Sequence, residues 1–227
     1  MSRSKAVSVP IPQLGAEVSA LLDLPPDPKA LVVLAHGAGA GMHHRFFEQV
    51  IERLTALDLG VFRYQFPYME KGRRAPDRAP KLETTVRAAV AAAARQCPGL
   101  PLFAGGKSMG GRMTSRAASA EALPAVKGLV FFGFPLHPAG KPGTERGDHL
   151  DGVTVPMLFL QGDRDKLAGL DLLQPVCSRL GPKATLHVSP GADHSFHVLK
   201  RSGRTDEEVL DEICGVLSRW IDDQLLA

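Results

Sequence analysis

The stretch Leu102-Phe103-Ala104-Gly105-Gly106-Lys107-Ser108-Met109-Gly110-Gly111 constrains the chain most: an apolar strand runs into G-x-S-x-G and then into a helix. A serine between two glycines at such a turn sits on backbone bent so sharply that a larger neighbour would clash, and its hydroxyl is pushed out above the sheet. That is the placement of a nucleophile. Alone, the motif is also compatible with a plain glycine-rich connection.

The surrounding sequence supplies the context. Leu31-Val32-Val33-Leu34-Ala35 reads as a buried parallel strand and ends in the loop His36-Gly37-Ala38-Gly39-Ala40-Gly41. Val155 to Gln161 is a second such run, ending in Gly162-Asp163-Arg164-Asp165. Ala184 to Val188 leads to Gly191-Ala192-Asp193-His194-Ser195-Phe196. Serine, acid and histidine thus each lie just past a candidate strand.

The whole chain alternates in the same way. Two short strands, at 5–9 and 17–22, open it as an antiparallel pair, and Pro25-Pro26-Asp27-Pro28 ends the second. Strands are then expected at 31–35, 60–65, 101–105, 127–132, 156–161 and 184–189, with helices at 43–58, 82–96, 109–121, 169–180 and 205–225. The last helix is the clearest: Val209, Leu210, Ile213, Val216, Leu217, Trp220 and Ile221 form one stripe, behind an acidic first turn. This order predicts an α/β fold with a mostly parallel sheet covered on both faces. The segment between Phe132 and Val155 suffices for a covering loop but not for a lid domain, so the site is expected to be open.

A length of 227 residues allows one sizeable core, and one domain over 1–227 is expected. Cys97, Cys177 and Cys214 are far apart and odd in number, which argues against a disulfide framework or a zinc site and for a reducing, cytoplasmic setting. No signal peptide is legible, and no run approaches the roughly 18 apolar residues of a membrane span. A net charge of +3 is too small to argue for nucleic acid, although Arg63 to Lys81 holds six basic residues against two acids. The loop from His36 lacks G-x-G-x-x-G spacing, and Gly106-Lys107-Ser108 lacks the upstream glycine of a P-loop, so nucleotide binding is not expected.

The chemistry then follows from residue types. A serine hydroxyl needs a base within hydrogen-bond reach and a third group to fix that base's tautomer. Ser108 would attack a carbonyl carbon and His194 would move the proton. Asp163 and Asp165 compete for the third role. His187, inside a strand, and His197, placed to start a short helix, read as structural. The oxyanion of the intermediate needs preset donors: the amide of Met109, and one from the His36 to Gly41 loop, at Ala38 or Gly39. No cofactor or metal is called for.

At these residues the chain resembles the α/β-hydrolases, whose triad runs in the order serine, acid, histidine, and among them the dienelactone-hydrolase-like group. More closely it resembles small predicted hydrolases that include the testis-expressed proteins and the hydrolase-like domain of a subunit of the NSL chromatin acetyltransferase complex. The segments carrying the likeness are His36 to Gly39, Phe66 to Met69 with Gly72 to Arg78, Gly105 to Arg112, Phe134 to Pro138 with Lys141-Pro142, Gln161 to Asp165 and Asp193 to Phe196. The resemblance implies the α/β-hydrolase fold and the triad Ser108, Asp165 and His194. The G-x-x-D pattern selects Asp165, and the position after His-Gly selects Ala38. Dienelactone hydrolases carry cysteine where this chain has Ser108, so lactone specificity is not implied.

The leading expectation is hydrolysis of a small carboxylic ester or thioester through an acyl-serine. Acyl transfer, peptide cleavage and a non-catalytic interaction module are the alternatives. Arg73 and Arg74, with Arg78 and Lys141, lie in segments expected at the carboxyl ends of the strands, where a carboxylate or phosphate of the substrate could be bound. Ion pairing with Asp77 or Asp148 is the competing use of these cations.

Overall fold

The computed structural model describes residues 3–226. In chain order the elements are β1 (Arg3–Ile11), β2 (Ala16–Leu24), β3 (Ala30–Ala35), α1 (Arg45–Ala56), β4 (Leu59–Tyr64), α2 (Pro67–Glu70), α3 (Ala79–Gln96), β5 (Leu102–Lys107), α4 (Met109–Ala120), β6 (Val126–Phe132), β7 (Met157–Gly162), α5 (Leu170–Leu180), β8 (Ala184–Ser189) and α6 (Asp206–Leu226). The strands form one sheet in the order β1-β2-β4-β3-β5-β6-β7-β8. β1/β2 and β2/β4 are antiparallel and every other pair is parallel. Pro10 is tolerated within β1 because that strand lies at the sheet's edge.

Side-chain alternation divides the core in two. Leu31, Val33 and Ala35 of β3 pack with α3, α4 and α5, whereas Val32 and Leu34 pack with α1 and α6. All six residues of β3 are buried, as a parallel strand covered on both faces requires.

The topology selects where a ligand can sit. β3 is followed by β4 on one side and, after α3, by β5 on the other, so the crevice between the carboxyl ends of β3 and β5 is a switch point. Ala35 pairs with Gly106 there, which brings the loop after β3 against the turn after β5. The ends of β6, β7 and β8 follow along the same rim.

Element boundaries moved where local chemistry outweighed hydrophobic period. α3 begins at Ala79 rather than 82, because Pro80 in its first turn starts a helix instead of breaking one. α2 was not legible in sequence. Arg63, which reads in sequence as part of a basic stretch, is buried in β4, where its guanidinium meets Asp23 at 3.3 Å and Glu48 at 2.5 Å. His197 does not start a helix; it lies in an irregular part of the loop after β8, paired with Asp206 at 2.9 Å.

His36, the residue that follows β3, is buried and neutral. Its Nδ1–H donates to its neighbour Gly37 O at 2.8 Å, and its Nε2 accepts from the Phe66 N–H at 3.1 Å. Burial lowers its pKa from 6.5 to about 4, against the weaker opposing pull of the Gly37 carbonyl. The unfolded chain therefore takes up a proton between pH 6.5 and 4 that the folded chain refuses. Stability is full above that window and falls as pH falls through it, by up to about 3 kcal/mol from His36. His149, also lowered to about 4, acts in the same direction, less strongly because it is more exposed to solvent screening. Urea midpoints at pH 7 and pH 5 check this, and His36→Gln is expected to flatten the difference.

Candidate active site

Ser108 stands between β5 and α4 with φ +52° and ψ −117°, a region that a side-chain-bearing residue occupies only when its surroundings impose it. Here the imposition comes from the glycines. A Cβ at Gly106 would lie 2.1 Å from the Ala35 carbonyl oxygen, and one at Gly110 would lie 2.2 Å from the same atom. Only glycine on both sides of the serine lets the turn press against the end of β3.

The strand ends bring the three sequence candidates together. Ser108 Oγ is 2.8 Å from His194 Nε2, and His194 Nδ1 is 2.6 Å from Asp165 Oδ2. Asp165 is buried, with no side-chain exposure, and is held on three sides. Oδ2 also accepts from Gln161 Nε2 at 2.5 Å, and Oδ1 accepts from the Leu167 N–H at 2.8 Å. Gln161 is itself fixed by the Phe134 N–H, which donates to its Oε1 at 3.0 Å. An ionised carboxylate only accepts, so His194 carries its proton on Nδ1 and leaves Nε2 free to accept from the serine hydroxyl. Asp163 instead accepts from the Gly191 N–H at 2.8 Å, which keeps it on the loop.

Ala38 and Met109 both border the cavity beside Ser108. Among the described residues neither backbone N–H has a hydrogen-bond acceptor, whereas the Gly39 N–H is taken by the Tyr68 hydroxyl at 3.1 Å. The Ala38 and Met109 amides are therefore the ones available to an oxyanion. His187 is bound to Glu212 at 2.6 Å and takes no part.

Sequence reasoning passed over Lys107. Its side chain runs to the α1 face, and its ammonium donates to the backbone oxygen of His194 while lying 5.8 Å and 5.4 Å from the ring centroids of Phe46 and Phe196. Burial pushes its pKa down to about 8, against the opposing charges of Asp165 and Asp193. The parity of β5 was the available signal: Phe103 and Lys107 share a face, and Phe103 packs with α6. Phe196 holds its ring there on backbone with φ +65°.

The cavity beside Ser108 measures about 360 Å³ and is lined also by Asp77, Leu82, Arg112, Met113, Pro135, Arg146 and Leu167. Arg73 and Arg74 do not border it. Arg73 pairs with Asp77 at 2.8 Å, and the backbone oxygen of Arg74 faces Gly39. A larger hollow of about 580 Å³, lined by Asp23, Glu48, Glu52 and Arg63, holds no serine or cysteine nucleophile. Among the described residues no group of three or more His, Cys, Asp or Glu side chains gathers as a metal site would need, and no helix is long and apolar enough to cross a membrane.

A parallel sheet with a strained serine turn at its switch point is the architecture of the α/β-hydrolases. The family model described as alpha/beta hydrolase domain matches residues 28–222, and the chain belongs to that family. Among solved structures, a dienelactone hydrolase from Anabaena variabilis superposes with a TM-score of 0.76 at 19% identity, covering 98% of each chain. Est1E from Butyrivibrio proteoclasticus with ferulic acid bound gives 0.77 at 19% identity, over 97% of this chain and 100% of that one. An α/β serine hydrolase without lid from Xanthomonas campestris gives 0.73 at 22% identity, over 96% and 95%. At these identities the likeness is one of fold. A Mycobacterium tuberculosis protein named "Putative phosphoribosyl transferase" is 27% identical over 225 residues, 97% of this chain and 46% of that protein. The chain thus spans about half the length of the curated relatives it matches.

Proposed function

We propose that the protein is a serine hydrolase that cleaves a small carboxylic ester or thioester through an acyl-serine intermediate. Membership of the α/β-hydrolase family and its esterase-like structural neighbours support hydrolysis as the reaction class. The observation that carries the finer reading is the unbroken relay from Ser108 Oγ through His194 to Asp165, at 2.8 Å and 2.6 Å.

In this reading His194 Nε2 takes the Ser108 proton as Oγ bonds to the carbonyl carbon, and the carbonyl oxygen becomes an oxyanion facing the Ala38 and Met109 amides. The tetrahedral intermediate breaks its bond to the alcohol or thiol, which leaves with the proton from His194. Water then gives a proton to His194 and attacks the acyl carbon, and the acid departs as Ser108 recovers its proton. Asp165 stays ionised throughout and offsets the charge on the imidazolium.

A fluorophosphonate probe tests the assignment directly. Labelling at Ser108 is expected in the native protein and is expected to vanish in Ser108→Ala and in His194→Ala. A folded native protein that takes no label would sink the catalytic reading and leave an interaction module.

A further inference from the structure

The half-buried arginines of this fold come with partners, except at one place. Arg63 meets Asp23 and Glu48, Arg53 meets Glu207 and Asp211, and Arg116 meets Glu83. Arg112 and Arg146 form no ion pair with any described carboxylate, and both line the cavity that contains Ser108. The Nε of Arg112 is buried and has no hydrogen-bond partner among the described residues.

The carboxylate whose charge acts to raise the Arg112 pKa, Glu83, is already engaged by Arg116 at 2.5 Å. Asp77, which also lines the cavity, has its oxygens engaged by Arg73 at 2.8 Å and Lys81 at 3.0 Å. His149 shares a hydrogen bond with Ser115 at 2.7 Å and is kept neutral by burial and by the charges of Arg116 and Arg112. Burial first, then the charges of Arg146 and Arg116, lower Arg112 to about 10, so it is still a cation at neutral pH. A desolvated guanidinium without an acceptor is unfavourable until an anion arrives, and its planar fork matches a carboxylate or a phosphate.

The position fits a substrate that also reaches the nucleophile. Arg112 follows Ser108 by four residues, on the same side of α4 and about 6 Å further along its axis. The lining of the same cavity includes Leu82, Met113 and Leu167, suited to a short apolar spacer.

Resting on the hydrolase reading, we infer that the substrate is an anionic ester or thioester, whose carboxylate or phosphate group is bound by Arg112 and Arg146 while its carbonyl lies at Ser108. Anion recognition then lies with two arginines that line the cavity rather than with Arg73 and Arg74, which do not.

Three anionic probes test this, each against a neutral ester of the same length. Monoethyl glutarate carries its carboxylate in the acyl part, acetylated 3-hydroxypropanoate carries it in the alcohol part, and ethyl 4-phosphonobutyrate carries a phosphonate. At least one is expected to exceed its neutral counterpart in kcat/KM by about tenfold or more, and the best of them identifies the anion and its position. That ratio is expected to fall toward one in Arg112→Gln and in Arg146→Gln, and to persist in part in Arg112→Lys. Fluorophosphonate labelling of each variant reports whether the site is still assembled. Equal turnover of charged and neutral esters by a native protein whose Ser108 is labelled overturns the anion site and leaves the hydrolase reading standing. A preference that survives both glutamine variants overturns it as well. Failure of Ser108 to take the label removes the hydrolase reading and the anion site with it.

Discussion

Asp165→Asn is expected to lower ester turnover by about 10⁴-fold while leaving the protein folded. The carboxylate accepts from three donors: the imidazole Nδ1–H of His194, the amide of Gln161 and the backbone N–H of Leu167. An asparagine has the same shape but only one accepting oxygen, and its NH₂ must meet one of those donors. If the oxygen stays with Leu167, the NH₂ faces His194 and forces the imidazole proton onto Nε2, where it can no longer accept from Ser108. If it stays with His194, the buried Leu167 amide loses its acceptor. The first arrangement removes the base, and the second loosens the loop that carries the acid. Asp163→Asn is the control: among the described residues its side chain accepts one hydrogen bond, from the Gly191 amide, which an asparagine oxygen can also accept, and it is expected to keep most of the activity. Steady-state kinetics on a neutral p-nitrophenyl ester separates them, and similar losses in both would assign the orienting role wrongly.

How far the sequence discloses this site follows from the type of signal at each residue. Ser108, Asp165 and His194 were legible because parallel strands deliver their carboxyl ends to one rim, so residues just past β5, β7 and β8 fall on the same edge of the sheet, where the loops bring them into contact. The choice of Asp165 over Asp163 rests on family pattern, and its physical basis appears only in the folded molecule: Asp163 is taken by the Gly191 N–H of the loop after β8. Arg63 shows the opposite case. In sequence it counts only as one of six basic residues in its stretch, because its ion pair with Asp23 depends on β2 and β4 being adjacent, and the pairing of Leu21 with Arg63 cannot be read from either strand alone.

Arg112 and Arg73 show the limit most sharply. Arg73 lies in a basic segment and drew attention by composition, yet its charge is answered four residues later by Asp77. Arg112 is one of two arginines in a helix otherwise made mostly of small residues, and no local charge run marks it. What distinguishes it is that it lines a cavity with no ion-pair partner among the described residues, a property of the packed molecule rather than of any window of sequence.

Gly106→Ala and Gly110→Ala are each expected to destabilise the protein by more than about 4 kcal/mol, enough to abolish soluble expression of a domain of ordinary stability. The two added methyl groups would strike one atom, the Ala35 carbonyl oxygen, at 2.1 Å and 2.2 Å, distances that no rotamer change relieves because a Cβ is fixed by its own backbone and the atom it meets is backbone too. Gly106 carries a second penalty in its φ of +152°, whereas Gly110 is an ordinary helical residue and suffers from lack of space alone. Gly203→Ala separates conformation from crowding. It has φ +70° but nothing within 4 Å of an added Cβ, so it is expected to cost only about 1 kcal/mol. Chemical unfolding ranks the three, and a Gly106→Ala protein as stable as Gly203→Ala would mean that the turn is not wedged against β3. The contact also links stability to chemistry. Ala35 is the last residue of β3, three before Ala38, so any shift that admits a methyl group at 106 or 110 also moves the Ala38 amide away from the oxyanion. Variants that survive folding are therefore expected to lose turnover out of proportion to the stability they lose.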